Sequence, residues 1–289
     1  TQIQYPKRRL FEQVLAAFDE TGTTAPVFID KHLADNWTDA KWIYDEARQR
    51  DIPLMAGSSL PTLWRHPAAD VKRGAELEEM VAVSYHTLDA YGFHALEMVQ
   101  CLAEQRKGGE TGIASVRCLS GQAVWDAGSE GVYDTHLLDA ALSRLKLRRH
   151  KGKPLTEVVR DPVLFVIDYA DGFRANVLTL NGAVIEWAVA WRTTESAAIT
   201  STVFYTQEAR PFMHFSYLLR GIERMFHTGR PAWPVERTLM TSGALDALLV
   251  SKLRDGRRVK TPHLMFSYSS DWRWKQPPPP PPDRPIRGQ

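Results

Sequence analysis

Two short stretches of the sequence carry side chains that can exchange a proton with a ligand. Asp30, Lys31 and His32 directly follow an apolar run at 26–29. His94 and Glu97 stand three positions apart in a segment with helical periodicity, which places them on one helix face. A histidine beside a carboxylate can move a proton near neutral pH, and a desolvated lysine can share that proton. These residue types therefore indicate acid–base chemistry.

The apolar run at 26–29 opens a predicted strand–helix–strand unit. Such a run is typical of a buried parallel strand, and apolar residues then recur at helical spacing through 40–47. A second short strand at 54–56 ends on Gly57 and Ser58. Because ligands of open parallel sheets bind beyond the carboxyl ends of the strands, we expect a site at these two strand ends.

A region of predicted strands at 162–206 indicates a second kind of sheet. Asp-Gly at 171–172 and Asn-Gly at 181–182 are hairpin turns, so this region predicts an antiparallel meander. The expected fold class is α/β plus α+β, with a parallel unit followed by a mainly antiparallel sheet domain that has helices on one face. The boundaries that we expect are 1–66, 67–275 and a proline-rich, disordered tail at 276–289.

Composition excludes several classes of protein. The 289 residues carry a net charge of only +2, which argues against general nucleic-acid binding. No apolar run approaches the ~20 residues that a membrane span needs, so no membrane association is expected. Cys101 and Cys118 are too few for a disulfide framework and are expected as buried free thiols, which favours the cytoplasm.

Two motifs resemble the Gfo/Idh/MocA family of sugar and polyol dehydrogenases. Residues 26–34 are similar to the family's P-V-x-x-E-K-P-L-A strand end and keep its lysine as Lys31, with Asp30 in place of Glu and His32 in place of Pro. Residues 92–97 match G-x-H-x-x-D, with a glutamate as the last residue. The resemblance implies that 1–66 is the C-terminal remnant of a Rossmann-like dinucleotide-binding domain, and that 67–275 is a substrate and oligomerisation domain.

The same resemblance implies an NAD(P)-dependent oxidoreductase that acts on a sugar, a polyol or a related hydroxy compound. Lys31 and His94 would handle the hydroxyl proton, and Glu97 would complete the catalytic group, while hydride goes to NAD or NADP. A homo-oligomer formed through the antiparallel sheet is expected. The residues predicted at the cofactor are Asp30, His32, Gly57 and Ser58, and those predicted at the substrate are Trp64, Arg65 and Trp187.

Two alternatives stay open. No G-x-G-x-x-G motif occurs in the sequence. We therefore expect either a fragment of a longer oxidoreductase or a cofactor-free protein on the same scaffold, with a binding or structural role. A non-redox enzyme is the other alternative. It could use a metal, because histidines and glutamates are plentiful, but none of them has the spacing of a metal motif, and no metal is predicted.

Overall fold

The computed structural model describes residues 4–284. The helices are α1 Lys7–Thr21, α2 Trp37–Gln49, α3 Phe93–Ala103, α4 Gln122–Ser129, α5 Thr135–Arg144, α6 Leu155–Val158, α7 His214–Thr228 and α8 Val235–Leu253. The strands are β1 Val27–Asp30, β2 Leu54–Gly57, β3 Trp64–His66, β4 Leu77–Ser84, β5 Ile113–Ser120, β6 Val163–Tyr169, β7 Arg174–Thr179, β8 Trp187–Thr193, β9 Ser196–Tyr205 and β10 Val259–Lys260. Within residues 4–284, no helix combines the length and apolar character that crossing a membrane requires.

The predicted strand–helix–strand unit is confirmed. β1 and β2 pair in parallel, with Asp30 opposite Gly57, so both strands end at the same edge. Asn36 caps the N-terminus of α2, because its side chain accepts a hydrogen bond from the Asp39 amide, and the apolar face of the helix is buried. The small core under α1 and α2 also contains Leu239 of α8, which ties the unit to the rest of the chain.

The larger sheet has eight strands in the order β10-β5-β6-β7-β4-β8-β9-β3. β6 and β7 form the predicted antiparallel pair around 171–172. The predicted hairpin at 181–182 is wrong, because β8 does not pair with β7. β4 lies between them, parallel to β7 and antiparallel to β8. Residues 80–83 of β4 are fully buried and apolar, as a central strand requires.

Helices cover both faces of this sheet, whereas the sequence predicted helices on one face. α3 and α8 pack on the first face and share one core with its apolar residues. α5 lies across β4, β8 and β9 on the second face, and α4 packs beside β5. The expected homo-oligomer through the antiparallel sheet stays a prediction; α4 and α5 cover part of the second face.

The C-terminal segment also differs from the prediction. Residues 276–284 form no helix or strand but are hydrogen-bonded to the protein: Gln207 Nε2 donates to the Pro281 carbonyl at 2.6 Å, and the Arg284 amide donates to the Arg210 carbonyl at 2.7 Å. Proline lacks an N–H but keeps its carbonyl as an acceptor, so side-chain donors can hold such a segment. The rest of the predicted tail, 285–289, lies outside the described residues. β3 pairs with β9, so 64–66 belongs to the larger sheet and not to the first unit.

Candidate active site

At the end of β1, the Lys31 side chain is partly exposed and the His32 side chain is buried. Lys31 has a left-handed backbone (φ 61°), and its amide donates to the Gly57 carbonyl at 3.0 Å. His32 is 1% exposed, its Nε2 donates to the Asp89 carbonyl, and its ring centroid lies 4.4 Å from that of Phe93. Burial lowers the pKa of His32 to about 4, so the ring is neutral. His32 therefore joins β1 to the segment before α3, and the structure does not support its predicted role at a cofactor.

Ser58 and His94 meet at the end of β2. Ser58 Oγ lies 2.6 Å from His94 Nδ1 and accepts a hydrogen bond from the Leu60 amide at 3.0 Å. His94 stands in the first turn of α3, directly after a π-helical turn at Leu88–Gly92, a feature frequent at functional sites. Burial, assisted by the positive charge of nearby Lys31, lowers the pKa of His94 to about 3. His94 is therefore neutral at physiological pH.

Glu97 supports the end of β2 from inside. Its side chain is fully buried, Oε1 is 2.6 Å from Thr241 Oγ1, and Oε2 lies 3.4 Å from the Ser58 amide. Burial raises the pKa of this carboxyl, which favours its neutral form. A Cβ at Gly57 would lie 2.6 Å from Glu97 Oε2 and 2.7 Å from Thr238 Oγ1. Glu97 thus acts through Ser58 as a positioning residue, and Gly57 is required because Glu97 packs against it.

Only one of the three predicted substrate residues lies near His94. Trp187 is nearly buried, and its ring centroid is 5.9 Å from that of His94. Trp64 and Arg65 are fully buried elsewhere: Trp64 Nε1 donates to the Pro278 carbonyl at 2.5 Å, and Arg65 forms an ion pair with Asp70 at 2.7 Å. Both residues hold protein segments together, so the structure does not support a role for either in substrate binding.

Tyr91 and Tyr85, which the sequence did not single out, join the predicted Trp187 in an aromatic wall that borders His94. Tyr91 stacks on Trp187 at 5.3 Å and meets the His94 ring edge-on at 6.1 Å, and Tyr85 lies 4.7 Å from Trp187. Trp187 Nε1 is buried and has no hydrogen-bond partner among residues 4–284. The spacing of Tyr91 and His94, three positions apart in consecutive helical turns, was the available signal for this wall.

The arrangement suits proton exchange with a ligand hydroxyl. A neutral imidazole held at Nδ1 by Ser58, a lysine on the paired strand end and an unpaired indole N–H together provide an acid–base group and hydrogen-bond donors. In residues 4–284, no three His, Cys, Asp or Glu side chains are grouped so that they could hold a metal ion.

The residues around His94 and Gly57 fit the nicotinamide end of a dinucleotide better than its pyrophosphate. The unpaired Trp187 N–H beside His94 leaves a buried donor for a ligand at the reacting end. The space next to Gly57 is filled by Glu97 and Thr238, so this glycine does not provide a close approach for phosphate. The cradle that a glycine-rich turn gives to a pyrophosphate is not supplied by these residues.

Comparisons with known proteins bear on the fold. No family model matches the sequence, and no curated protein matches it. A solved structure of GenD2 from gentamicin A biosynthesis, in complex with NAD, is 15% identical, with a TM-score of 0.59 over 89% of this chain and 76% of that chain. A putative myo-inositol dehydrogenase from Sinorhizobium meliloti is 14% identical, with a TM-score of 0.55 over 88% of this chain and 78% of that chain.

A third similar structure is the myo-inositol dehydrogenase from Lactobacillus casei in complex with NAD(H) and myo-inositol. It is 12% identical, with a TM-score of 0.51 over 86% of this chain and 74% of that chain. At such identities the likeness concerns the fold. This chain therefore has the same fold as these three proteins, which confirms the fold expected from the resemblance to the Gfo/Idh/MocA family.

Proposed function

We propose that this chain is an NAD(P)-dependent oxidoreductase that acts on a hydroxyl group of a sugar, a polyol or a related compound. The observation that carries the proposal is the 2.6 Å contact between Ser58 Oγ and His94 Nδ1 at the end of β2. The register pairs Asp30 with Gly57, so Lys31 and Ser58 follow directly on adjacent strand ends. The NAD-bound structures of the same fold support the assignment of the cofactor.

His94 is the proposed acid–base residue, and Ser58 positions it. In the tautomer whose Nδ1–H donates to Ser58 Oγ, Nε2 keeps a lone pair that can take a proton from a substrate hydroxyl. Because the pKa of His94 is lowered to about 3, the ring is unprotonated across the physiological range, the form that a general base requires, and the same shift makes it a weak base. Lys31 adds a positive charge that stabilises a developing alkoxide.

Bound nicotinamide would supply the acceptor or donor of hydride. Lys31 and Ser58, at the two strand ends, are the residues that would hold its reacting end. The remaining predicted cofactor residues contribute less: His32 is buried in packing, and the Asp30 carbonyl accepts from Lys7 Nζ at 2.5 Å.

The aromatic wall favours a sugar-like substrate. The partly exposed ring of Tyr91, with the buried Trp187 stacked behind it, provides flat apolar surface for the C–H face of a sugar or polyol, and the unpaired indole N–H of Trp187 can donate to one of its oxygens. A buried donor without a partner costs free energy, so a ligand oxygen at that point is favoured.

A second candidate function is cofactor-free binding of the same class of ligand. It is favoured by the packing around Gly57, where protein side chains occupy the space that a phosphate-binding glycine would leave open. Under this alternative the aromatic wall and His94 bind a sugar without any hydride transfer.

The test is turnover with NAD⁺ or NADP⁺ over a panel of sugars, polyols and hydroxy acids, followed by absorbance of the reduced nucleotide. Lys31→Ala and His94→Ala should each lower kcat by about 10²–10⁴-fold. Lys72→Ala is the matched control, because Lys72 is an exposed lysine outside the site. Sugar binding without turnover for any panel member would favour the second candidate instead.

A further inference from the structure

A groove with a basic lining lies away from the candidate active site. It is a groove of about 1210 Å³ between α7, the turn at 228–234 and the C-terminal segment at 269–278. Lys31, Ser58, His94 and Trp187 are not among its lining residues. Small-molecule sites usually have volumes of about 300–1,000 Å³, so this groove can accommodate a ligand of that size.

The groove is strongly basic. Its cationic lining residues are Arg220, Arg224, Arg230, Arg273 and Lys275, and Asp271 is the one acidic residue that lines it in the described part of the chain. Within residues 4–284, none of the five cations forms an ion pair with a carboxylate. Like charges lining a concave surface raise the local concentration of an oppositely charged ligand. The protein as a whole has a net charge of only +2, so this concentration of charge is local.

The wall of the groove is aromatic and firmly held. Trp233 is 4% exposed, and its Nε1 donates to the Ala56 carbonyl of β2 at 2.9 Å. Trp272 meets Trp233 edge-on at 6.4 Å, and the guanidinium of Arg237 lies 5.0 Å from the Trp272 ring. A Cβ at Gly221 would come within 2.6 Å of the Trp233 ring, so the glycine allows α7 to pack closely on it.

The C-terminal segment that forms the other wall is also fixed. Trp274 Nε1 donates to the Leu63 carbonyl at 2.7 Å, and the Arg65 guanidinium lies 4.2 Å from the Trp274 ring. The Arg65 amide donates to Gln276 Oε1 at 3.1 Å. The groove is therefore bounded on both sides by packed residues, and exposed arginine side chains line it.

We propose that this groove binds a phosphorylated small molecule that also carries a ring, as a nucleotide does. Guanidinium groups match phosphate oxygens with paired hydrogen bonds, and indole rings give a ring system a flat apolar surface. The proposal goes beyond the proposed oxidoreductase activity, because it assigns a second ligand site to residues that the first site does not use.

The test is calorimetric titration of the 289-residue chain with pyrophosphate, ADP and citrate. Pyrophosphate should bind, with an affinity that falls as salt rises, and ADP should bind more tightly than pyrophosphate because of its ring. Citrate binding as tight as that of pyrophosphate would overturn the choice of phosphate. ADP binding no tighter than pyrophosphate would overturn the ring subsite, and absence of binding by both would overturn the site.

Variants locate the ligand. Arg224→Gln with Arg230→Gln should weaken pyrophosphate binding about a hundredfold, at about tenfold for each hydrogen-bonded arginine. Lys151→Gln with Lys153→Gln removes the same charge from an exposed loop outside the groove and should leave the affinity unchanged. Equal effects of the two double variants would contradict the proposal. Loss of pyrophosphate binding in His94→Ala would place the ligand in the candidate active site and would equally refute the groove.

Discussion

Gly57→Ala tests how the end of β2 is held. Gly57 has φ +124°, a conformation that residues with a Cβ rarely adopt. The added methyl group would lie 2.6 Å from Glu97 Oε2 and 2.7 Å from Thr238 Oγ1, where no real Cβ is tolerated. Both of these side chains are buried, so neither can move aside into solvent.

The magnitude follows from two costs. Backbone strain at such a φ costs about 1–3 kcal/mol. Overpacking in a well-packed interior adds about 1–3 kcal/mol. We therefore expect Gly57→Ala to lower the free energy of unfolding by about 2–6 kcal/mol, by the sum of the two. The displaced Glu97 carboxyl should also shift Ser58, and with it His94, so activity should fall in the fraction that stays folded.

Gly22→Ala is the matched control for the backbone contribution. Gly22 has φ +66° at the end of α1, and a Cβ there would meet nothing within 4 Å. Its substitution should cost only the strain of a left-handed residue, about 1–2 kcal/mol. Urea unfolding of both variants, followed by circular dichroism, measures the difference. Equal destabilisation of the two variants would refute the close packing of Glu97 and Thr238 on Gly57.

Three further predictions concern buried polar groups. Buried His32 has a pKa of about 4, against 6.5 for an exposed histidine. Its contribution to the free energy of unfolding is therefore present above pH 6.5 and is lost as the pH falls towards 4. His32→Gln should flatten this part of a plot of the free energy of unfolding against pH. Burial raises the pKa of Glu97 and so favours its neutral form, which the amide of Gln resembles. In thermal unfolding, Glu97→Gln should therefore change the free energy of unfolding by no more than about 1 kcal/mol, while Glu97→Ala should lower it by about 2–3 kcal/mol. Arg237 and Glu104 form a buried ion pair at 2.5 Å, so Arg237→Leu should lower the free energy of unfolding in urea by about 3–5 kcal/mol. Lys107→Leu, which removes an exposed ion pair with Glu76, should lower it by less than about 1 kcal/mol.

The parts of the fold that local patterns determine were predictable. The apolar run at 26–29, the helical spacing through 40–47 and the strand at 54–56 each carry their own periodicity, so the parallel unit followed from the sequence. The insertion of β4 between β7 and β8 did not follow from the sequence, because strand order depends on pairings between residues distant in the chain. Asn-Gly at 181–182 has the chemistry of a hairpin turn, yet the strands it joins are separated by β4.

The candidate site was predictable in part for a similar reason. Ser58 could be chosen because strand ends collect ligands, and His94 because it matches the motif of the Gfo/Idh/MocA family; the structure brings the two within 2.6 Å. His32, Trp64 and Arg65 have residue types that suit binding, but their side chains turn inward, and burial cannot be read from type alone. The prolines of the C-terminal segment predicted disorder, whereas donors such as Trp64 Nε1 fix their carbonyls.

The central claim is that this chain uses a nicotinamide nucleotide, and nucleotide binding tests it most directly. We would titrate the Arg224→Gln, Arg230→Gln double variant, in which nucleotide binding by the basic groove is weakened, with NADH and NADPH by calorimetry, and repeat the titration after adding His94→Ala. We expect micromolar binding of one nucleotide, retained with His94→Ala because His94 handles the substrate proton and does not hold the cofactor. Absence of binding by both nucleotides, with the protein folded, would contradict the proposed oxidoreductase and favour a cofactor-free binding protein.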